Sequence, residues 1–574
     1  MTDAHNRVSD IRIAIDVSGS MKQNDPRQLR TPALKLLVGL MSDGMYSGVW
    51  TFGQYVNMQV KLAKVTPAWK DFARKEADKI HSRARYTNIE EVIQRASVGW
   101  KSDDKRYNRN LILLTDGKVD IARDRDVNQA SRERIINHWL PRMKKAGVRI
   151  HSVALSKNVD RELLSLISDT TGGWYEQVDS AEDLQRVFLR LFEKSAKRDS
   201  IPINGNRFHV DGEVMDMTLL MFKKPGSRKL HINTPKLGRW NEDNAPGNVS
   251  WFNEEGYDLV TVKSPEAGEW VLETESDPDN RVLVVTNLKL KLNDLPNHLL
   301  LGEHLDIESM LYDKSAMVKH QDFLKLVQFS VIVQKKGKDE SNNYALEDNG
   351  ETSDKLKADG IYSRRLSSEL TNGLYSLVVR ADGATFQREV HHDFQLHSEL
   401  VHINIVKDEK GYLLQLSHND RLVDTNTIQL TLEPAELNQL KWKKDQNNWS
   451  LALPEEMEGK TVVLDYSAKR WNGNEIKTQF KRPVEIVKKE MHVEKESKPV
   501  ISENDTQKND IKQNVDEVSK SEQTEEEPET NWMLISWLVI LVNLIVLILS
   551  VLGWVMFKKR KVAKEEELTA EMNI

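Results

Sequence analysis

The chain has 574 residues, 30% of them charged and 39% hydrophobic, so it is globular in composition but too long for one hydrophobic core. Its 82 basic and 88 acidic side chains leave a net charge of -6, which gives no global argument for nucleic-acid binding. There is no cysteine, which excludes disulfides, cysteine-ligated zinc, thiolate nucleophiles and thiol redox chemistry.

The first 197 residues alternate between strand-like and helix-like segments. Residues 11–15 are a short apolar run, and 27–40 carry apolar residues at helical spacing after Asp25 and Pro26. A strand is expected at 48–52, a helix at 88–98, and a second buried strand at 111–114. Residues 127–145 read as one helix, 148–155 as a strand, and 160–167 and 181–192 as helices. Such alternation predicts a doubly wound α/β domain, a parallel sheet with helices on both faces. Ligands bind such sheets in the crevice at the carboxyl ends of the strands.

Chemistry-bearing residues follow the apolar strands. After 11–15 come Asp16, Ser18 and Ser20 in a DxSxS pattern, and after 111–114 come Thr115, Asp116 and Gly117. Between them, Thr87 opens a helix. Three loops thus bring two carboxylates and three hydroxyls to one edge. Oxygen donors alone suit a hard cation at about 2.1 Å in near-octahedral geometry, so Mg2+ is expected, with Ca2+ or Mn2+ as alternatives. DxSxS by itself is a weak signal; its placement after a buried strand, with a threonine and TDG in the later loops, strengthens it. Ser and Asp acting as turn and N-cap residues is the ordinary alternative.

Residues 10–197 resemble a von Willebrand factor type A domain, and Asp16, Ser18, Ser20, Thr87 and Asp116 match its metal-ion-dependent adhesion site. The resemblance implies that Ser18 and Ser20 ligate the metal directly and Thr87 directly or through water. Asp16 and Asp116 would bind directly or through water. It also implies that an Asp or Glu of a partner protein completes the metal's shell.

From about 201 to 487 the pattern changes to short alternating runs punctuated by Gly, Pro, Asn and Asp, the signature of antiparallel β-sandwiches. Three modules are expected, at 198–292, 293–396 and 397–487, after a type A domain at 1–197. Residues 345–380 resemble immunoglobulin-like repeats of bacterial surface proteins. Asp348, Asp354 and Asp359 there offer carboxylates for calcium, but beside Gly350 and Gly360 they read first as turn formers, and the spacing is not that of an EF-hand. His391, His392, His397 and His402 read as ordinary strand and turn residues, and the scattered tryptophans as core anchors.

Residues 488–531 are rich in Glu, Lys, Ser, Asn and Asp and read as a disordered stalk. Residues 532–557 carry no charge, and as a helix they would extend roughly 39 Å, enough to span a membrane. Lys558 to Lys561 follow directly, which places the tail 558–574 in the cytoplasm and the body outside it, in the periplasm or at the cell surface. No signal-peptide pattern opens the sequence, so that orientation implies a signal upstream of it. No phosphate loop, GxSxG elbow or HExxH motif is present, so no enzymatic activity is expected. The function expected is metal-dependent capture of an acidic side chain on a partner protein, by a membrane-anchored module that does not bind nucleic acid. The alternative is an assembly or chaperone-like factor working with a cell-envelope complex or a cytosolic ATPase.

Overall fold

The computed structural model describes residues 7–484, apart from 103, 179–182, 197, 237, 367–369, 409–410, 446 and 472. The stalk, the apolar segment 532–557 and the tail lie outside the described residues. Among the described residues, no helix is long and apolar enough to cross a membrane.

The N-terminal α/β domain is built on six strands: β1 (Val8–Asp16), β2 (Tyr46–Phe52), β3 (Val56–Lys64), β4 (Tyr107–Thr115), β5 (Val148–Ala154) and β6 (Tyr175–Gln177). Their order is β3-β2-β1-β4-β5-β6. All neighbours run parallel except β3, which returns antiparallel along β2. The helices are α1 (Met21–Asn24), α2 (Arg30–Leu40), α3 (Pro67–Ala77), α4 (Ile89–Ala96), α5 (Arg125–Arg134), α6 (Leu140–Lys145), α7 (Arg161–Thr171) and α8 (Leu184–Ala196). One sheet face packs on α2, α3 and α8, the other on α4, α6 and α7.

Local sequence explains the elements. In α4, Ile89, Val92, Ile93 and Ala96 are buried at helical spacing, and the Asn88 side chain accepts from the Glu91 N–H at 3.0 Å to cap the helix. The stretch 127–145 is not one helix. Five residues of π-helix (Ile135–Trp139) separate α5 from α6. Pro141 sits in the first turn of α6 and brings no N–H, so the ladder changes register there.

β-structure follows, around three hydrophobic cores spanning residues 201–284, 290–396 and 400–484. In the first, Trp270 is fully buried, stacked on Phe208 and edge-on to Trp240. The short strand Ser200–Ile201 pairs with Arg281–Thr286 and, at Ser200, with Glu389 of the strand Gln387–His397. One ten-stranded sheet therefore crosses from the first core to the second. The Arg388 guanidinium, fully buried, donates to Asp211 at 2.6 Å and to Thr286 at 3.0 Å across the same junction.

The α/β domain is not a separate bead on this array. Its α2–α8 face shares one apolar cluster with Leu220, Phe222, Tyr257, Leu259 and Leu283 of the first β-module. Arg186 of α8 grips Asp277 with both amino groups, at 2.9 and 2.8 Å, and Arg281 pairs with Glu193 at 2.8 Å. Arg421 of the last module lies 3.0 Å from both carboxylate oxygens of buried Asp169. Gly39 permits the close approach of α2, since a Cβ there would lie 2.2 Å from Leu259 Cδ2. Gly39→Ala is expected to lower stability by about 1–3 kcal/mol through overpacking, despite the better helix propensity of alanine. Urea unfolding followed by exchange of the α2 and Leu259 amides measures this; unchanged protection would contradict the packing.

Candidate metal centre

Strand order reverses between β1 and β4, where the chain goes first to β2 and later to β4. This is the switch point at which α/β sheets open a crevice. Ile15 pairs with Leu114, so Asp16 and Thr115 end their strands side by side. The Thr115 hydroxyl donates to Asp16 Oδ2 at 2.6 Å, and the Ser18 N–H donates to Asp16 Oδ1 at 2.8 Å. Asp16 is fully buried, and burial pushes its carboxyl up to about 7, with neighbouring Asp116 adding to the rise and the Thr115 and Ser18 hydrogen bonds opposing it.

The other oxygens converge on Asp116. Ser20 Oγ donates to Asp116 Oδ1 at 2.9 Å, Ser18 Oγ lies 3.4 Å from the same atom, and the two serine oxygens are 3.0 Å apart. Asn24 Nδ2 holds the second Asp116 oxygen at 2.9 Å. Thr87 comes from the third loop. Its N–H and C=O pair with Asp120, and its hydroxyl overlies Gly117, where a Cβ would lie 3.1 Å away. Tyr86, just before it, is left-handed at φ 62°, a conformation that bulky residues rarely adopt. Ala84 donates to the Val17 carbonyl at 3.0 Å, which ties this loop to β1.

Oxygens that share an octahedral ion at about 2.1 Å lie about 3.0 Å apart when adjacent. Ser20 Oγ stands at that separation from both Ser18 Oγ and Asp116 Oδ1, at 3.0 and 2.9 Å, while Ser18 Oγ and Asp116 Oδ1 are wider apart at 3.4 Å. The donor set, all oxygen and with two carboxylates, fits a hard divalent cation. The structure thus gathers Asp16, Ser18, Ser20, Thr87 and Asp116 at one sheet edge. Two further residues of the site have roles the sequence did not assign: Thr115, quoted there only as part of the TDG, orients Asp16, and Asn24, one helical turn after Ser20, holds Asp116.

Thr115→Val keeps the side-chain shape but removes the donor that orients Asp16. It is expected to weaken Mg2+ binding about 10- to 100-fold, the usual effect of losing a ligand's hydrogen-bond partner. Calorimetric titration measures it; an unchanged affinity would show that Asp16 needs no orientation.

Among the described residues, His391, His392, His397 and His402 join no cluster that could hold a metal. His391 pairs with Glu389 at 3.0 Å, His392 meets the Pro296 carbonyl, and His402 lies 3.2 Å from Glu399. His397 Nε2 lies 3.1 Å from His298 Nδ1. The Asp348, Asp354 and Asp359 carboxylates gather within 4.8 Å of one another. Backbone N–H groups occupy them: Gly360 and Asp359 donate to Asp348, Gly350 to Asp354, and Ile361 to Asp359.

Residues 10–190 match the family model of the von Willebrand factor type A domain. The N-terminal domain is a von Willebrand factor type A domain. Across more of its length the chain is similar to calcium-activated chloride channel regulator 1 of Bos taurus, 22% identical over 413 residues. That alignment covers 64% of this chain and 42% of the relative. Regulator 3A-1 of Mus musculus is 24% identical over 400 residues, covering 64% of this chain and 41% of the relative. The chain thus spans about two fifths of the length of these relatives. Among solved structures, a von Willebrand factor type A protein from Catenulispora acidiphila is 16% identical with a TM-score of 0.28, over 54% of this chain and 64% of that one. Proximal thread matrix protein 1 from the mussel byssus, solved with a zinc-occupied metal-ion-dependent adhesion site, is 16% identical with a TM-score of 0.27, over 35% of this chain and 50% of that one.

Proposed function

We propose that this chain is a metal-dependent protein-binding module, tethered to a membrane by residues 532–557, with its type A domain outside the cytoplasm. Asp16, Ser18, Ser20, Thr87 and Asp116 would hold Mg2+. When bound, the cation supplies an open Lewis-acidic position for a carboxylate oxygen of the partner. The protein's own part is positional. Thr115 and the Ser18 N–H fix Asp16, and Asn24 fixes Asp116, so the donors are held before any ligand arrives. Two carboxylates balance the ion's charge, and the hydroxyls add no more, which leaves it attractive to a third anion.

The observation that carries the reading is the convergence of the Ser18, Ser20 and Asp116 oxygens, all within 3.4 Å of one another, on the switch-point edge. Type A domains are interaction modules, which supports protein capture over catalysis. The relatives' names describe regulators of a channel, which supports a membrane-associated partner for this chain too.

The test is capture of partners from the native membrane fraction with immobilised full-length protein. Proteins retained in Mg2+, released by EDTA and missing from a Ser18→Ala column are the expected outcome. Retention unaffected by EDTA would contradict it. Protease digestion of the 1–530 body in cells with a permeabilised outer barrier, with the C-terminal tail protected, tests the orientation.

A further inference from the structure

The loops that carry the metal oxygens also carry a charge imbalance. Lys22, Arg83, Arg85, Lys118, Arg123 and Arg125 are all exposed on these loops and the helix starts beside them, against Asp120, Asp124 and Asp126. With the site's own Asp16 and Asp116 included, six basic side chains face five acidic ones, and the excess becomes three positive charges once a divalent cation offsets those two carboxylates, on a chain whose net charge is -6. Among the described residues, none of the six basic side chains has an ion pair. Several arginines elsewhere in the domain are paired: Arg12 with Asp10, Arg30 with Asp25, Arg132 with Asp160 and Arg134 with Glu90.

Two of the six are placed at the site itself. Arg85 and Arg123 line one cleft of about 510 Å3 together with Ser18, Ser20 and Thr87. Tyr86 and Asp120 line it too, and the Asp120 carboxylate is engaged by Asn128 Nδ2 at 3.4 Å rather than by either guanidinium. A guanidinium offers a planar fork that matches a carboxylate, and it stays charged at every working pH. One carboxylate on the metal leaves both forks unused.

We propose that the partner segment docking here carries at least two acidic side chains, one for the metal position and one for Arg85 and Arg123. This rests on the metal-site reading above and adds to it the partner's chemistry: an acidic peptide segment, not a lone Asp or Glu on a neutral surface. The excess positive charge would also speed encounter with such a segment, and the rate would fall as salt is raised.

The probes are synthetic Gly-Ser peptides carrying a single Glu, or two Glu separated by zero, one or two residues. They are titrated against the detergent-solubilised full chain in Mg2+. At least one paired-Glu peptide is expected to bind tenfold or more tightly than the single-Glu peptide. Each of Arg85→Ala and Arg123→Ala should remove about three- to tenfold of that advantage and leave the single-Glu affinity nearly unchanged. Both substitutions are at exposed positions, so the fold is kept, and Mg2+ titration of the double variant checks that the metal site survives. Equal affinity of paired and single peptides, no binding of any, or an advantage that persists in the double variant would overturn the proposal. A paired-Glu advantage that needs the arginines but survives EDTA would overturn the metal-site reading instead.

Discussion

Replacing Asp25 by alanine is expected to destabilise the type A domain by about 3–5 kcal/mol, the usual effect of stripping a buried charge of its partner. Asp25 and Arg30 are both fully enclosed and lie 2.9 Å apart. Burial works against charge on each, raising the Asp25 carboxyl and lowering the Arg30 guanidinium, and each offsets the other. Asp25 also accepts from the Leu29 N–H at 2.6 Å at the start of α2, while Arg30 donates to Ser82 at 2.6 Å. Without Asp25 the guanidinium keeps only Ser82 and the more distant charges of Asp16 and Asp116. The loop of Ser20 and the segment leading to Thr87 would lose their shared anchor. Hydrogen exchange of the β1 and α2 amides should become roughly 150- to 4000-fold faster, the same loss at about 1.4 kcal/mol per decade. The double variant Asp25→Ala/Arg30→Met should recover much of the loss, because an apolar pair leaves no buried charge. Acceleration of less than tenfold in the single variant would mean that Arg30 is not dependent on this pair.

Asp16→Asn should separate the two states of the metal site. In the metal-free protein Asp16 titrates near 7, above its unfolded value of about 3.9. A carboxyl raised on folding contributes its stability below the unfolded value and loses it as pH rises through the folded one. The wild type should therefore match the Asn variant near pH 4, fall behind it progressively to pH 7, and hold a constant deficit above that. The deficit is on the order of 4 kcal/mol. Saturating Mg2+ should reverse the ranking at pH 7.5, because binding stabilises only the protein that holds the ion. Chemical denaturation across pH, with and without Mg2+, measures both. A pH-independent difference, or equal stabilisation of both proteins by Mg2+, would contradict the assignment of Asp16.

What the sequence disclosed follows from which signals are local. Asp16, Ser18 and Ser20 follow one buried strand and Asp116 another, and strand ends in a parallel sheet share an edge, so their meeting is legible in the order of residues alone. The antiparallel strand β3 was passed over, although Val56-Asn-Met-Gln-Val60 alternates, because only its Val56 and Val60 are buried and the run looks polar. Helix α2 begins at Arg30 rather than near residue 27, because Gln28 is left-handed at φ 55° and interrupts the helical path. The buried charges were out of reach. Arg30, Asp169, Arg388 and Arg421 look like surface residues along the chain: Arg30 is enclosed with Asp25 inside the α/β domain, Arg388 meets Asp211 only where two β-modules join, and Arg421 meets Asp169 only where the last module folds against the α/β domain. The same holds for the shared apolar face, since Leu220, Leu259 and Leu283 serve their own strands while covering α2 and α8.

The central claim is that Asp16, Ser18, Ser20, Thr87 and Asp116 form one divalent-cation site. Calorimetric titration of Mg2+ into the purified full chain tests it most directly, with Ser20→Ala and Asp348→Asn measured alongside. Saturable binding that Ser20→Ala abolishes and Asp348→Asn leaves intact is the result expected. Binding lost in Asp348→Asn but kept in Ser20→Ala would place the cation in the acidic turns of the second β-module and contradict the account.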